Sequence, residues 1–230
     1  MPIDAMERLS DEVAAGHIQK YFEVQSNGRP LYTGSRFENF AGGGDFVEPN
    51  RITAADLIAV SMLSVHVPGQ AALGIMEELD GKIEALLTPL AVELRLENLT
   101  AEQFSELLDY GSPADGIWQL LRQKKATWGI GQTTASKILA RKRPHLVPIY
   151  DSVVKDQVGL RDSGGQWVRW WEAFQGDKGR QFAMRLESIR EASGQSHLSL
   201  LRVIDIVLWM DGHGAAKVRE TVDDGKWKTS

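Results

Sequence analysis

A short glycine-containing turn followed by a helical pattern is the most informative stretch of the sequence. It reads Trp128-Gly-Ile-Gly-Gln-Thr-Thr-Ala-Ser-Lys137, and two glycines flanking Ile130 suit a tight hairpin that leaves backbone N–H groups exposed. Such amides at the start of a helix, where the helix dipole is positive, are good ligands for phosphate oxygens. Lys137 and Arg141 are four residues apart and are therefore expected on one face of that helix. The stretch predicts a phosphate contact; a plain turn between two helices is the alternative.

A second group of polar side chains lies in a glycine-rich segment, residues 25–50. Tyr32, Arg36 and Glu38 place a hydroxyl, a guanidinium and a carboxylate close together, as a loop that contacts a substrate would. The alternative is an ordered loop closed by an ion pair between Arg36 and Glu38. Further along, Asp205 interrupts an apolar helical pattern, and Arg202 is its nearest partner, so a structural ion pair is expected there rather than a catalytic role.

Helix start signals indicate the elements that must position these residues. Thr53 and Thr100 begin capping patterns, and Ser112-Pro113 supplies an N-cap followed by a first-turn proline. Apolar residues recur at intervals of three and four almost throughout. The sequence therefore predicts an all-α helical bundle of about ten helices. Residues 1–50 are interpreted as an N-terminal helix and a glycine-rich connection, and residues 51–230 as the helical domain.

The composition limits the function classes. The 230 residues carry 26 Lys and Arg against 31 Asp and Glu, a formal net charge of −5, and contain no cysteine. The absence of cysteine excludes disulfides, thiolate zinc sites and iron–sulfur clusters. The five histidines lack ligand spacing, so neither a metal nor a cofactor is expected. No signal peptide or membrane span is recognised, and a cytoplasmic location is expected.

The charge is unevenly distributed along the chain. An acidic protein would ordinarily be a poor partner for nucleic acid. Residues 116–150, however, contain no Asp or Glu. The cations of this segment are Arg122, Lys124, Lys125, Lys137, Arg141, Lys142 and Arg143. The segment favours a local basic surface; the alternative is a set of cations balanced by acids from elsewhere in the fold.

The hairpin and the segment after it resemble the helix-hairpin-helix DNA glycosylases of the endonuclease III-like superfamily. Their hairpin typically reads Pro-Gly-Val-Gly followed by Thr-Ala, and this chain reads Gly129-Ile-Gly-Gln-Thr-Thr-Ala135. The family's essential aspartate follows an apolar segment, and Asp151 follows His145-Leu-Val-Pro-Ile-Tyr150 at the matching distance. Upstream, Leu57–His66 resembles the family's first barrel helix. The resemblance spans residues 57–158, and the whole chain also resembles an uncharacterised bacterial family.

The resemblance implies roles for individual residues. Asp151 would be the catalytic carboxylate, and His66 would fill the gap left by an extruded base. The position of the Schiff-base lysine of bifunctional members holds Thr133, so strand cleavage through an amine is not expected. Tyr150 could stack on a base, although an aromatic residue at this position is more often part of the core.

A carboxylate at position 151 suits the cleavage of an N-glycosidic bond. Positive charge develops on the sugar as the bond breaks, and a fixed carboxylate stabilises that charge. Backbone N–H groups at a helix start would keep Asp151 ionised. Aspartate is also a preferred N-cap for reasons of stability alone, and this is the alternative interpretation.

The sequence thus predicts a DNA-binding protein with a site like that of a monofunctional DNA glycosylase, which excises a base without cutting the strand. Two alternatives stay open: a catalytically inactive DNA-binding module, and a soluble helical protein that binds another ligand through residues 32–38. The residues predicted to contact duplex DNA are Gly129, Ile130, Gly131, Thr133, Thr134, Lys137, Arg141 and His66.

Overall fold

The computed structural model describes residues 1–123 and 128–226, with side chains as far as Gly214. Within these ranges the chain forms helices and no β-strand, which confirms the all-α prediction; Val24 and Pro30 form an isolated bridge. The helices are α1 (Pro2–Met6), α2 (Asp11–Tyr21), α3 (Ala54–Ser61), α4 (Gly69–Leu73), α5 (Asp80–Leu87), α6 (Ala101–Leu108), α7 (Pro113–Arg122), α8 (Gln132–Lys142), α9 (Ser152–Val158), α10 (Gln166–Ala173), α11 (Gly176–Ala192) and α12 (Leu200–Lys226). A π-helical stretch, Gly74–Glu78, continues α4.

The predicted helix starts are confirmed. Thr53 and Thr100 form capping boxes at the starts of α3 and α6. Ser112 accepts a hydrogen bond from the backbone N–H of Asp115 at the start of α7, where Pro113 occupies the first turn. Each cap satisfies a backbone donor that the helix itself leaves unpaired, so these starts depend on residues only three positions apart.

Helix α12 is the centre of the molecule. Helices α2, α9 and α11 pack against it. Its side chains from Val203 to Leu208 are all buried, so this stretch of the helix is covered on every side. Such burial is expected for a helix that is apolar around most of its circumference. The buried residues of α2 belong to the same hydrophobic core as those of α12. No helix among the described residues has the length and apolar character needed to cross a bilayer.

The glycine-rich connection between α2 and α3 is ordered against α8. It holds only short 3-10 turns, at Thr33–Arg36 and Phe40–Gly42. Its backbone carbonyls accept hydrogen bonds from cations near the end of α8. Arg141 donates to the carbonyls of Phe37, Glu38 and Phe40, Lys142 to that of Glu48, and Arg143 to that of Pro49. Because buried carbonyls need donors, these contacts fix a segment that has little regular structure besides its two 3-10 turns.

Candidate functional site

A cavity of about 340 Å³ is lined by four of the predicted site residues, Tyr32, Thr133, Lys137 and Asp151. Its walls come from the glycine-rich connection, the end of α3, the starts of α8 and α9, and the middle of α12. Its lining includes the polar and aromatic side chains of Tyr21, Tyr32, Thr133, Lys137, Asp151, Arg202, Asp205 and Trp209. The volume is within the range of small-molecule pockets, so the cavity can hold a group the size of a nucleobase.

Asp151 both caps α9 and lines this cavity. Its Oδ1 accepts a hydrogen bond of 2.9 Å from the backbone N–H of Val153, and its Oδ2 accepts one of 3.2 Å from Lys137 Nζ. The side chain is 16% exposed. The N-cap interpretation is therefore confirmed, but capping does not turn the carboxylate away from the cavity. The geometry leaves Asp151 fixed in position and accessible to a ligand.

The basic face predicted on α8 is wrong. Lys137 and Arg141 are only 4% and 3% exposed. Lys137 Nζ donates to Asp151 and, at 2.9 Å, to the carbonyl of Leu63. Arg141 Nε donates to Asp56 Oδ1 at 3.1 Å, and its other donors hold the glycine-rich connection. The two residues do lie on one side of the helix, but that side faces the interior, so neither side chain is available to a phosphate at the surface.

Three cations of the acid-free segment, Lys137, Arg141 and Lys142, pair with acids from outside it. Lys142 and Arg143 are also fully buried, and Lys142 Nζ lies 3.0 Å from Asp56 Oδ2. Burial lowers the pKa of Arg143 to about 10, which leaves it charged at neutral pH. Arg122 lies over the ring of Trp118. Lys124 and Lys125 fall outside the described residues. The alternative of balanced charges is thus confirmed for Lys137, Arg141 and Lys142, whereas Arg143 is satisfied by backbone carbonyls and by Asn50.

The glycine hairpin has the predicted form where it is described. Helices α7 and α8 pack together, and residues 124–127 between them fall outside the described residues. Gly129 adopts φ +74°, a conformation that favours glycine. Gly131 is the N-cap of α8 without a side-chain cap, and a Cβ built there would have open space within 4 Å. Both glycines are exposed while Ile130 is buried in the core, so the described part of the hairpin can be approached closely at Gly129 and Gly131.

The remaining predicted residues divide between the cavity and its surroundings. Thr133 lines the cavity, whereas Thr134 is buried in α8. His66 is exposed and directly follows Val65, a residue of the cavity wall. Tyr150 is buried and does not line the cavity, which confirms the core interpretation. Its backbone N–H donates to Ser136 Oγ at 2.9 Å, and this bond ties the segment before Asp151 to α8.

Arg202 organises a buried polar network beside the cavity. It forms ion pairs with Glu38 and Asp205, and donates to Tyr21 Oη at 3.0 Å and to the carbonyl of Gly34 at 3.1 Å. The predicted pair of Arg202 with Asp205 is confirmed. The proposed pair of Arg36 with Glu38 is wrong, because Glu38 pairs with the buried guanidinium of Arg202. Arg36 is exposed.

Aromatic rings form one side of the cavity. Tyr21 and Tyr32 stack with their centroids 5.4 Å apart, and Trp209 meets both edge-on. The sequence interpretation selected Tyr32 but missed Tyr21 and Trp209. Trp209 follows Asp205 by four residues on α12, and a polar residue and an aromatic one at this spacing share a helix face. That spacing was the available signal.

The carboxyl group of Asp205 has an unusual protonation equilibrium. Burial raises the pKa of Asp205 to about 6, and the negative charge of Asp151 adds to this, while Arg202 and Lys137 oppose it. Burial also raises the pKa of Tyr21. Asp205 therefore exchanges its proton at a pH closer to neutrality than an ordinary aspartate does.

Within the described part of the chain, no three His, Cys, Asp or Glu side chains cluster closely enough to hold a metal ion. The cavity thus offers carboxyl, hydroxyl, ammonium and aromatic groups as its chemistry.

Comparison with known proteins identifies the family. No curated protein and no solved structure matches the chain significantly. One family model, described as a family of unknown function (DUF6308), matches residues 14–212, a span that includes every residue of the cavity wall. The chain belongs to this family of unknown function, DUF6308.

Proposed function

We propose that the protein binds DNA through its helix-hairpin-helix element and cleaves an N-glycosidic bond, releasing a base without cutting the strand. The observation that carries the proposal is the meeting of Asp151, Thr133 and Lys137 in one cavity. Helix α8 lines this cavity and begins at the exposed Gly131. A backbone held at the hairpin would therefore pass close to the mouth of a pocket that contains a fixed carboxylate.

Asp151 would stabilise the sugar as the bond breaks. Its carboxylate is held by the N–H of Val153 and by Lys137 Nζ, so it needs no reorganisation when positive charge develops on the sugar. The same carboxylate can orient the water that completes hydrolysis. Lys137 Nζ donates two hydrogen bonds, which suits a positioning residue better than a nucleophile. With Thr133 at the position of the Schiff-base lysine, the expected product is an intact strand with an abasic site.

Binding of duplex DNA would depend mainly on backbone amides. The buried cations of α8 contribute little to phosphate binding, and the net charge of −5 opposes it. We therefore expect a shallow dependence of affinity on salt, since few counterions are released when few cations contact phosphates. His66, exposed beside the cavity wall, remains the candidate for filling the gap in the base stack.

A second candidate function is the binding or cleavage of a small molecule without DNA. The observation in its favour is that Tyr32 and Thr33, from the glycine-rich connection, line the same cavity as Asp151. Aromatic and hydroxyl groups at this wall suit a small planar ligand as well as an extruded base. Both candidates place the chemistry in one cavity, so they are distinguished by whether the substrate is duplex DNA or a free small molecule.

The test is base release from duplexes that each contain a single uracil, hypoxanthine, 7-methylguanine or mismatched base, with the matching free nucleosides in parallel. Released base is measured by mass spectrometry, and abasic sites by strand cleavage before and after alkali. We expect abasic sites that break only after alkali. Release from free nucleosides alone would favour the second candidate. No release, together with no duplex binding at low salt, would contradict the proposal.

Replacing Gly131 with alanine separates the two roles of the hairpin. The backbone at this residue has φ −86°, and the added Cβ meets open space, so the only expected loss of stability is about 1 kcal/mol, because alanine is a poorer N-cap than glycine. A methyl group would, however, obstruct a phosphate that approaches the amides at the start of α8. We expect duplex affinity to fall about tenfold, the equivalent of roughly one hydrogen bond to a charged group.

The matched control is Gly81→Ala, which also adds a Cβ in open space, on α5. Fluorescence anisotropy with a labelled duplex gives the affinity of each variant, and thermal unfolding reports the fold. Equal affinity for the wild type and Gly131→Ala would remove the hairpin from the binding surface.

A further inference from the structure

Asp205 is a second carboxyl group in the cavity, and it comes from a different helix than the one Asp151 caps. Asp205 lies on α12 and Asp151 begins α9, and these helices pack against each other. Both side chains line the cavity. The sequence explains Asp205 only as the partner of Arg202, but an ion pair alone does not require the carboxyl group to reach a cavity.

One oxygen of Asp205 is available to a ligand. Oδ2 accepts a hydrogen bond from Arg202 Nη1. Oδ1 accepts none from the described residues, and it is not among the buried atoms that lack a partner. A carboxyl group held by one oxygen and open at the other is suited to exchange a proton with a bound molecule.

The charged and titratable groups around Asp205 come from each element packed on it. Arg202 lies on the same helix, and Lys137 and Asp151 face it from α8 and the start of α9. Tyr21 from α2 and Glu38 from the connection contact Arg202. Burial raises the pKa of Asp205 to about 6. A carboxyl group that exchanges its proton near this pH, in one cavity with a second carboxyl group, is an arrangement suited to an acid and a charge-stabilising group.

We infer that Asp205 is the general acid that protonates the departing base, while Asp151 stabilises the sugar; the inference rests on the proposed function. As the bond between the sugar carbon and the base nitrogen breaks, its electron pair leaves with the base. The proton of Asp205 transfers to a base nitrogen. The oxygen of a water molecule then bonds to the cationic sugar, and the proton released by that water restores the carboxyl group of Asp205 through solvent.

The charge of the leaving base provides the test. A neutral base such as hypoxanthine gains from protonation as it leaves, whereas 7-methylguanine already carries a positive charge. For the wild type, we expect release of the neutral base to slow above about pH 6, the raised pKa of Asp205, and release of 7-methylguanine to lack this dependence. In Asp205→Asn, release of the neutral base is expected to slow about 10²–10⁴-fold, the usual contribution of general acid catalysis, and release of 7-methylguanine to stay nearly unchanged.

Asparagine at position 205 keeps an oxygen for Arg202, and Asp211→Asn on the same helix is the matched control, expected to behave as the wild type. If Asp205→Asn does not fold, the wild-type pH profiles for the neutral base and for 7-methylguanine still test the role of Asp205. Equal pH profiles for both bases, or equal losses on both in Asp205→Asn, would overturn the role of Asp205 while leaving the proposed function standing. No base release by the wild type from any substrate would overturn the proposed function and this inference together.

Discussion

Base release is expected to slow about 10²–10³-fold when Asp151 is replaced by asparagine, the usual loss on removing one preorganised electrostatic contact to a transition state. Asparagine is as good an N-cap as aspartate, so it can accept the same hydrogen bond from Val153 and keep α9 in place. The substitution removes the negative charge and with it the ion pair to the buried Lys137, so urea denaturation is measured alongside to separate a loss of stability from a loss of catalysis. Single-turnover release of base from the best duplex substrate measures the effect, and circular dichroism checks the helix content.

The matched control is Asp156→Asn on the same helix. Asp156 is 74% exposed and pairs with Lys155 at the surface, so its charge is close in sequence but outside the cavity wall. We expect this variant to keep the wild-type rate. If Asp151→Asn released base as fast as the wild type, Asp151 would be a helix cap without a catalytic role.

The largest expected effect on stability follows the replacement of Asp56 by alanine. Asp56 is 2% exposed and accepts hydrogen bonds from Arg141 Nε at 3.1 Å, Lys142 Nζ at 3.0 Å and the backbone N–H of Thr53 at 2.9 Å. Its loss leaves two buried cations without their carboxylate. Breaking a buried pair by removing one partner costs roughly 3–5 kcal/mol. Urea denaturation, with the midpoint and slope measured together, gives the change in the free energy of unfolding.

An exposed pair provides the comparison. Asp80 pairs with Arg51, whose side chain is 49% exposed, and Asp80→Asn is expected to cost about 0–1 kcal/mol, as surface pairs usually do. If Asp56→Ala were no more costly than Asp80→Asn, the cations of α8 would be reaching solvent in the native state. Those cations would then be available to phosphates after all, so this measurement also tests how the protein meets DNA.

Several local features of the fold could be predicted from the sequence. The helix starts at Thr53, Thr100, Ser112 and Asp151 all agree with the structure. Capping is predictable because the cap and its backbone donor are two or three residues apart and need no other part of the chain. The hairpin was predictable for the same reason, since the positive φ of Gly129 is a local requirement.

The surroundings of the candidate site were only partly predictable. The distance between the hairpin and Asp151 indicated a shared site, and Thr133 and Asp151 do line one cavity. The spacing of Asp205 and Trp209 could have added Trp209 to it, but no sequence pattern indicated Tyr21. Their position depends on how α2 packs against α12, and that packing is between helices at opposite ends of the chain.

By itself, then, the sequence determined which segments are helical and where several of them begin, because those choices are made within one turn of backbone. Only the tertiary structure decided whether the cations of residues 116–150 lie at the surface or in the interior. Residues 116–150 lack acids, and a local pattern of that kind favours a basic surface. Yet Arg141 finds Asp56, 85 residues away. An ion pair depends on distance in space and not on separation along the chain. The buried cations therefore bind groups of other elements in the interior and do not form a basic surface.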